Sequence, residues 1–231
     1  YYLKKFGIFI YKILLVNNAK FVSITKEESL NIKHHFNKSL IKHIPNPIPF
    51  KFTKIQKNHI NKTFVFFGRV HPIKNLELMI NSFVTAKLGK KWHLHIYGIE
   101  DEKNYFLKIK KLIKKHKNIE LKDAVFYNKK KKILNSSWVN ILLSKSEVLS
   151  LSVLEAAGMH LPSIVNKKIQ LNKFTLKGGV STKENISEVS RKIIDVSKWS
   201  LQERLKKGKL IGTFFQKKYS IEKIAKKYLE I

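Results

Sequence analysis

The sequence has no cysteine, so neither a disulfide framework nor a thiolate metal site is open to it, which fits a reducing cytoplasm. Arginine is nearly missing too: of 47 basic residues, only Arg69, Arg191 and Arg204 are arginine. Acids number 16, leaving a net charge of +31. Such a balance invites a polyanionic partner, either nucleic acid or an anionic membrane surface. Readers of nucleic acid, however, use the planar guanidinium fork for bidentate contacts, and a charge made almost wholly of lysine does not supply it. No zinc-finger or RNP-like pattern is present, and runs such as Lys129 to Lys132 read as solvated helix faces. Long apolar runs are lacking as well. The stretch from Phe6 to Val16 is interrupted by Lys12 and falls short of the about 20 residues of a membrane span, so it reads as a helix over 6–17. With no small-residue cleavage site and a strand after it at 21–24, it does not read as a signal peptide. The chain opens on Tyr1 rather than Met, and further sequence is expected upstream.

What is present is an alternation. From Thr63 onward, short β-rich runs at 63–67, 92–97, 118–121, 139–143 and 163–166 are separated by lysine-studded helical patterns at 73–87, 102–116, 129–135 and 151–160. This is the signature of βα units: an α/β fold with a Rossmann-like parallel sheet flanked by helices. Leu76, Met79, Ile80 and Phe83 fall three or four apart and give the first of these helices one apolar stripe. Before Thr63 the pattern is a strand at 21–24, a helix at 26–36, a short strand at 41–44, then Pro45, Pro47 and Pro49, three prolines in five residues that mark a boundary. About fifty residues are too few for a full α/β domain. The organisation expected is therefore the remnant of one domain and a linker over 1–49, a Rossmann-like domain over 50–215, and a closing helix over 216–231 with Ser220 as N-cap. After Glu184 the chain reads as helical to its end.

In an open parallel sheet, ligands bind outside the carboxyl ends of the strands. Gly68 and Arg69 come directly after the first strand, Gly98 after the second, Asp123 after the third, and Ser144, Lys145, Ser146 and Glu147 after the fourth. Gly68 lets a ligand approach the backbone, while Arg69 and Lys74 offer a fork and a point charge suited to a diphosphate. Glu147 and Glu155 are separated by seven residues in a chain short of acids. With Ser150 or Ser152 as N-cap, a helix begins beside Glu147 and its free N–H groups form a second phosphate cradle. The intervening residues are so apolar that both carboxylates require partners.

Gly68-Arg69, Lys74-Asn75, the Glu-x7-Glu segment and the run Glu155-Ala-Ala-Gly-Met-His-Leu-Pro-Ser-Ile-Val together resemble the donor domain of family-four retaining glycosyltransferases of the GT-B fold. Ser23-Ile24-Thr25 and Pro45-Asn46-Pro47 are similar to that family's last N-domain segments, and residues 219–231 to its closing helix. The resemblance implies that Arg69 and Lys74 bind the donor diphosphate, Glu147 the donor sugar and Glu155 the nucleotide ribose. It also implies that the amides of Val148, Leu149 and Ser150 complete the phosphate cradle and that Asp123 and Val125 lie near the base. The chemistry implied is transfer from a UDP- or GDP-sugar to a glycan or lipid-linked acceptor with retention, without a metal or other cofactor, in polysaccharide or lipopolysaccharide assembly at the cytoplasmic face of a membrane. Two departures stand out: Val148-Leu149-Ser150 replaces a glycine-containing turn, and His160 stands where a glycine often precedes Leu-Pro. With the acceptor domain nearly all absent, a fragment that binds donor but transfers nothing is the alternative expectation.

Other chemistries fit less well. Asp101, Asp123 and Asp195 are far apart and form no Asp-x-Asp metal site. His93 and His95 alternate on one strand and read as a polar sheet surface rather than zinc ligands. No pyridoxal-lysine region of a phosphorylase is evident.

Overall fold

Parallel strands covered on both faces read as continuous apolar runs rather than alternating ones. The run Thr-Phe-Val-Phe-Phe at 63–67 is such a strand, with all five residues buried. A computed structural model of the chain describes residues 20–36, 40–49, 60–169 and 177–230. The helix expected over 6–17 lies outside them. Contacts divide the chain into two compact units, one of Tyr1–Pro47 with Tyr219–Ile231 and one of Ile48–Lys218.

In the first unit, β1 (Lys20–Ser23) and β2 (Leu40–His43) pair in parallel, with α1 (Lys26–His35) between them in sequence. Thr25 caps α1 by accepting the Glu28 N–H at 3.1 Å, while the Glu28 carboxylate accepts the Ile24 N–H at 2.6 Å, a reciprocal arrangement of the capping-box kind.

The second unit carries β3 (Thr63–Phe67), α2 (Leu76–Thr85), β4 (His93–Tyr97), α3 (Lys103–Ile113), β5 (Ile119–Lys122), α4 (Tyr127–Ser136), β6 (Val139–Leu142), α5 (Leu151–Gly158), β7 (Ser163–Asn166), β8 (Val180–Thr182), α6 (Ile186–Ser197) and most of α7 (Leu201–Tyr219); α8 (Ile221–Leu229) returns to the first unit. The sheet is wholly parallel, in the order β5-β4-β3-β6-β7-β8. Counted from β3, that is 3-2-1-4-5-6, the doubly wound Rossmann order, whose direction reverses between β3 and β6. The β3–β6 ladder pairs Phe64 with Val139 and Val65 with Asn140 and ends there, two residues before β3 does. Past that point the two strands no longer bond to each other, and the crevice begins.

One face of β3 packs Phe64 against Phe83 and Trp92, at 5.7 and 5.4 Å between ring centres. The other belongs to a cluster of Val65, Phe67, Tyr97, Val125, Leu134, Ala156, Met159 and Leu161.

The structure departs from the sequence reading in three places. The single helix expected over 73–87 is broken: Pro72–Lys74 makes a 3-10 turn, and Asn75 adopts a left-handed φ of 55° before α2 begins. Asparagine tolerates that conformation better than most residues. The helical stretch expected after Glu184 is three helices, because residues 198–200 and Ser220 interrupt it; Ser220 does cap α8, accepting the Lys223 N–H at 3.4 Å. Finally, β8 is a strand where the sequence pattern shows none. His160, at φ 52°, occupies a conformation that favours glycine, and α7 accommodates it through Gly212, where an added Cβ would stand 2.2 Å from the imidazole Nδ1.

Candidate functional site

The loops that leave β3 and β6 are tied together at the crevice: the Lys145 N–H donates to the Ile73 carbonyl at 2.9 Å. The turn bearing Lys74 is braced from several sides. His71 Nδ1 accepts the Ile73 N–H at 3.1 Å, the Tyr105 hydroxyl oxygen accepts the Leu76 N–H at 3.0 Å, and Asn75 Nδ2 donates to Glu184 at 3.1 Å. The Asn75 side chain does not cap α2, and the Tyr105 hydroxyl satisfies the helix's first N–H. Burial pushes the Tyr105 hydroxyl pKa above its usual value, keeping it neutral in that role.

Held in this way, Lys74 Nζ lies 2.5 Å from Glu147 Oε1, and the Ser144 hydroxyl donates to the same oxygen at 2.8 Å. A second pair stands beside it in sequence: Lys130 Nζ is 2.5 Å from Glu155 Oε2 and 5.0 Å from the centre of the Phe67 ring, which itself stacks on Tyr97. Lys130 is within ion-pair range of Glu155 but off the axis of a hydrogen bond, so Oε2 is buried without an aligned donor. In both pairs the lysine is 16% exposed and the glutamate 13%. The apolar Glu-x7-Glu segment therefore has the charge partners that it requires.

Arg69 behaves differently. It is 57% exposed, and its guanidinium donates to Asp101 at 2.9 Å, in the loop after β4. Gly68 and Gly98 let these two loops touch, since a Cβ on Gly98 would stand 2.4 Å from the Gly68 carbonyl oxygen. Ser150 occupies the N-cap of α5 but makes no capping bond, and its hydroxyl pairs with Ser152 at 3.0 Å. Among the described residues, the amides of Val148 and Leu149 make no hydrogen bond, so these N–H groups and the first turn of α5 are open to an anion. Val148 is 61% exposed. Asp123 is exposed at the end of β5, whereas Val125 is buried in the core cluster, so its side chain is committed to packing.

Lys130 corrects the reading of Lys129 to Lys132 as a solvated face. It lies one turn before the buried Leu134 on α4, and that spacing places it on the inner face. Ser144 and Asp101 are the other polar partners that sequence spacing did not assign.

Residues 47–210 match the sequence model of the glycosyl transferases group 1 family. The chain belongs to that family. Among solved structures it is similar to a mutant of S. aureus TarM solved with fondaparinux, alpha-GlcNAc-glycerol and UDP (24% identity, TM-score 0.72, covering 90% of this chain and 43% of that one). It is also similar to sucrose-phosphate synthase from Thermosynechococcus elongatus (13%, TM-score 0.80, 98% and 60%). A third is WaaG, described as a glycosyltransferase involved in lipopolysaccharide biosynthesis (13%, TM-score 0.70, 88% and 60%). The chain thus spans between two fifths and three fifths of these relatives' lengths. No curated protein matches it in sequence. For a group 1 family member, the doubly wound sheet is one Rossmann-like half of the GT-B fold.

Proposed function

We propose that the chain is the donor-binding part of a retaining glycosyltransferase, binding a nucleoside diphosphate sugar at the β3–β6 crevice. The observation that carries this reading is the Lys74–Glu147 pair, two opposite charges held across the topological switch point in a family member. Lys74 leaves Glu147 for the donor diphosphate and is joined there by Arg69 and by the free amides of residues 148–150 and the first turn of α5. Glu147, still bonded by Ser144, accepts hydrogen bonds from the donor sugar. Glu155 accepts the ribose diol, and a ribose hydroxyl supplies the aligned donor that Oε2 lacks. As the glycosidic bond breaks, negative charge builds on the departing diphosphate, where the lysine, the guanidinium and the helix N-terminus stabilise it from fixed positions. On this reading the chain's own cations meet the charge and no metal is required. Retention results from front-face attack by the acceptor, assisted by the leaving phosphate.

UDP is the nucleotide tried first, because the TarM structure was solved with it. The acceptor proposed is a glycan or lipid-linked sugar in polysaccharide or lipopolysaccharide assembly, WaaG being one such relative in fold. Among the described residues no helix is long and apolar enough to cross a membrane. The net charge of +31 instead suggests peripheral attachment to an anionic cytoplasmic leaflet.

Thermal stabilisation by UDP, GDP and their sugars tests donor binding. Stabilisation is expected in the parent chain and is reduced by both Arg69→Ala and Glu155→Ala; stabilisation that survives both changes sinks the site. If donor stabilises the chain but incubation with acceptor extracts yields no transfer, these residues bind donor without completing the reaction.

A further inference from the structure

On β4, side chains two apart share a face, so His93 and His95 lie side by side, with ring centres 5.9 Å apart. The register sets Glu120 of β5 directly opposite His95, and Glu120 Oε1 lies 3.0 Å from His95 Nε2. Two imidazoles on one strand are a weak signal; a carboxylate facing them from the next strand adds what the sequence spacing could not show. One donor atom from each of the three residues fits within a span of 4.8 Å. Ligands at tetrahedral angles on one zinc ion stand about 3.4 Å apart, so small side-chain rotations close the set. All three belong to regular strands with fixed spacing, and β5 is the edge of the sheet, so the cluster is reached from solvent: Glu120 is 47% exposed and His95 20%.

We propose that His93, His95 and Glu120 form a transition-metal site suited to zinc, clamping the edge strand β5 onto β4. Two imidazole nitrogens and one carboxylate oxygen are a recurrent three-ligand set for zinc, leaving a fourth position for water. Hard cations such as magnesium prefer all-oxygen sets. The site is separate from the donor crevice. His93 begins β4, and His95 precedes Gly98 by three residues, about 10 Å along a strand. Lys122 is the built-in competitor. Its Nζ holds Glu120 Oε2 at 2.8 Å and adds a positive charge that zinc must overcome.

Untagged full chain, freed of metal by chelator, is titrated with Co2+, read by its visible absorption, and then with Zn2+ in competition; melting is monitored in parallel. The expected result is saturable one-to-one binding with a raised melting temperature. It should weaken at least about tenfold in His93→Ala and in Glu120→Gln, and tighten about two- to fivefold in Lys122→Ala. Glu120→Gln keeps the side-chain shape, so its metal-free melting curve checks that the fold is intact. Three outcomes overturn the proposal: no saturable binding, binding undiminished in His93→Ala or Glu120→Gln, or binding unchanged or weakened in Lys122→Ala, which would mean that Glu120 serves only as an ion-pair partner.

Discussion

The two lysine–glutamate pairs beside the Glu-x7-Glu segment have the same distance and the same exposure, yet they are built differently. Lys74–Glu147 joins two loops across the switch point, and its carboxylate keeps a second donor, Ser144, if the lysine leaves. Lys130–Glu155 joins two helices above the core cluster, with the ammonium also lying over the Phe67 ring. A carboxylate with a reserve donor can release its cation to an incoming phosphate at little cost. One whose only cation is anchored on a helix and an aromatic face holds that cation in place. Equal ion-pair distance therefore need not mean equal function: the first pair is arranged to open, the second to stay.

The largest expected effect breaks this comparison at the lysines. Lys74→Ala should weaken UDP binding by about ten- to hundredfold, the worth of one charge-assisted hydrogen bond to phosphate of about 1.5–3 kcal/mol. Lys130→Ala should weaken it by less than about fivefold, because on the proposed reading Glu155 remains to accept the ribose. Calorimetric titration of both variants with UDP decides. Equal losses would mean that the two lysines share one role.

Much of this arrangement is legible in the sequence. A parallel strand buried on both faces writes an unbroken apolar run, which is why 63–67 and 163–166 are recovered to the residue. The rim residues are then located by the strand ends. Three features are not legible, for separate physical reasons. Val180–Thr182 is too short to show a period. The break at Asn75 hides inside an apolar stripe that continues on either side of it, and only a left-handed turn braced by Tyr105 and Glu184 makes it stable. Arginine's scarcity singles out Arg69, but Arg204 shares that rarity and is the buried one. At 2% exposure, Arg204 donates to the Ser137 and Trp138 carbonyls, and burial lowers its pKa to about 10. Rarity marks a residue as worth inspecting without saying whether it serves a ligand or the fold.

A smaller effect sharpens the contrast in stability. In urea unfolding without nucleotide, Lys130→Ala should cost more stability than Lys74→Ala by about 0.5–1 kcal/mol. The margin is the size of one cation–π contact, which only Lys130 makes of the two. Equal costs would show that the Phe67 ring adds nothing and that the helix-borne lysine is no more firmly held than the loop-borne one.

The smallest effect concerns the third cation. Arg69 is exposed and already paired with Asp101, so reaching a diphosphate means giving up a surface ion pair worth about 0.2–1 kcal/mol. Removing the competitor should therefore help the ligand: Asp101→Asn is expected to tighten UDP binding about two- to threefold, while Arg69→Ala weakens it. The sign matters more than the size, because an acid that merely lies near the site and a true competitor for Arg69 become distinguishable once Arg69 is also removed. In Arg69→Ala, the Asp101→Asn change should have no further effect. If it tightens UDP binding there as well, Asp101 repels the diphosphate directly, and Arg69 does not join Lys74 at the crevice.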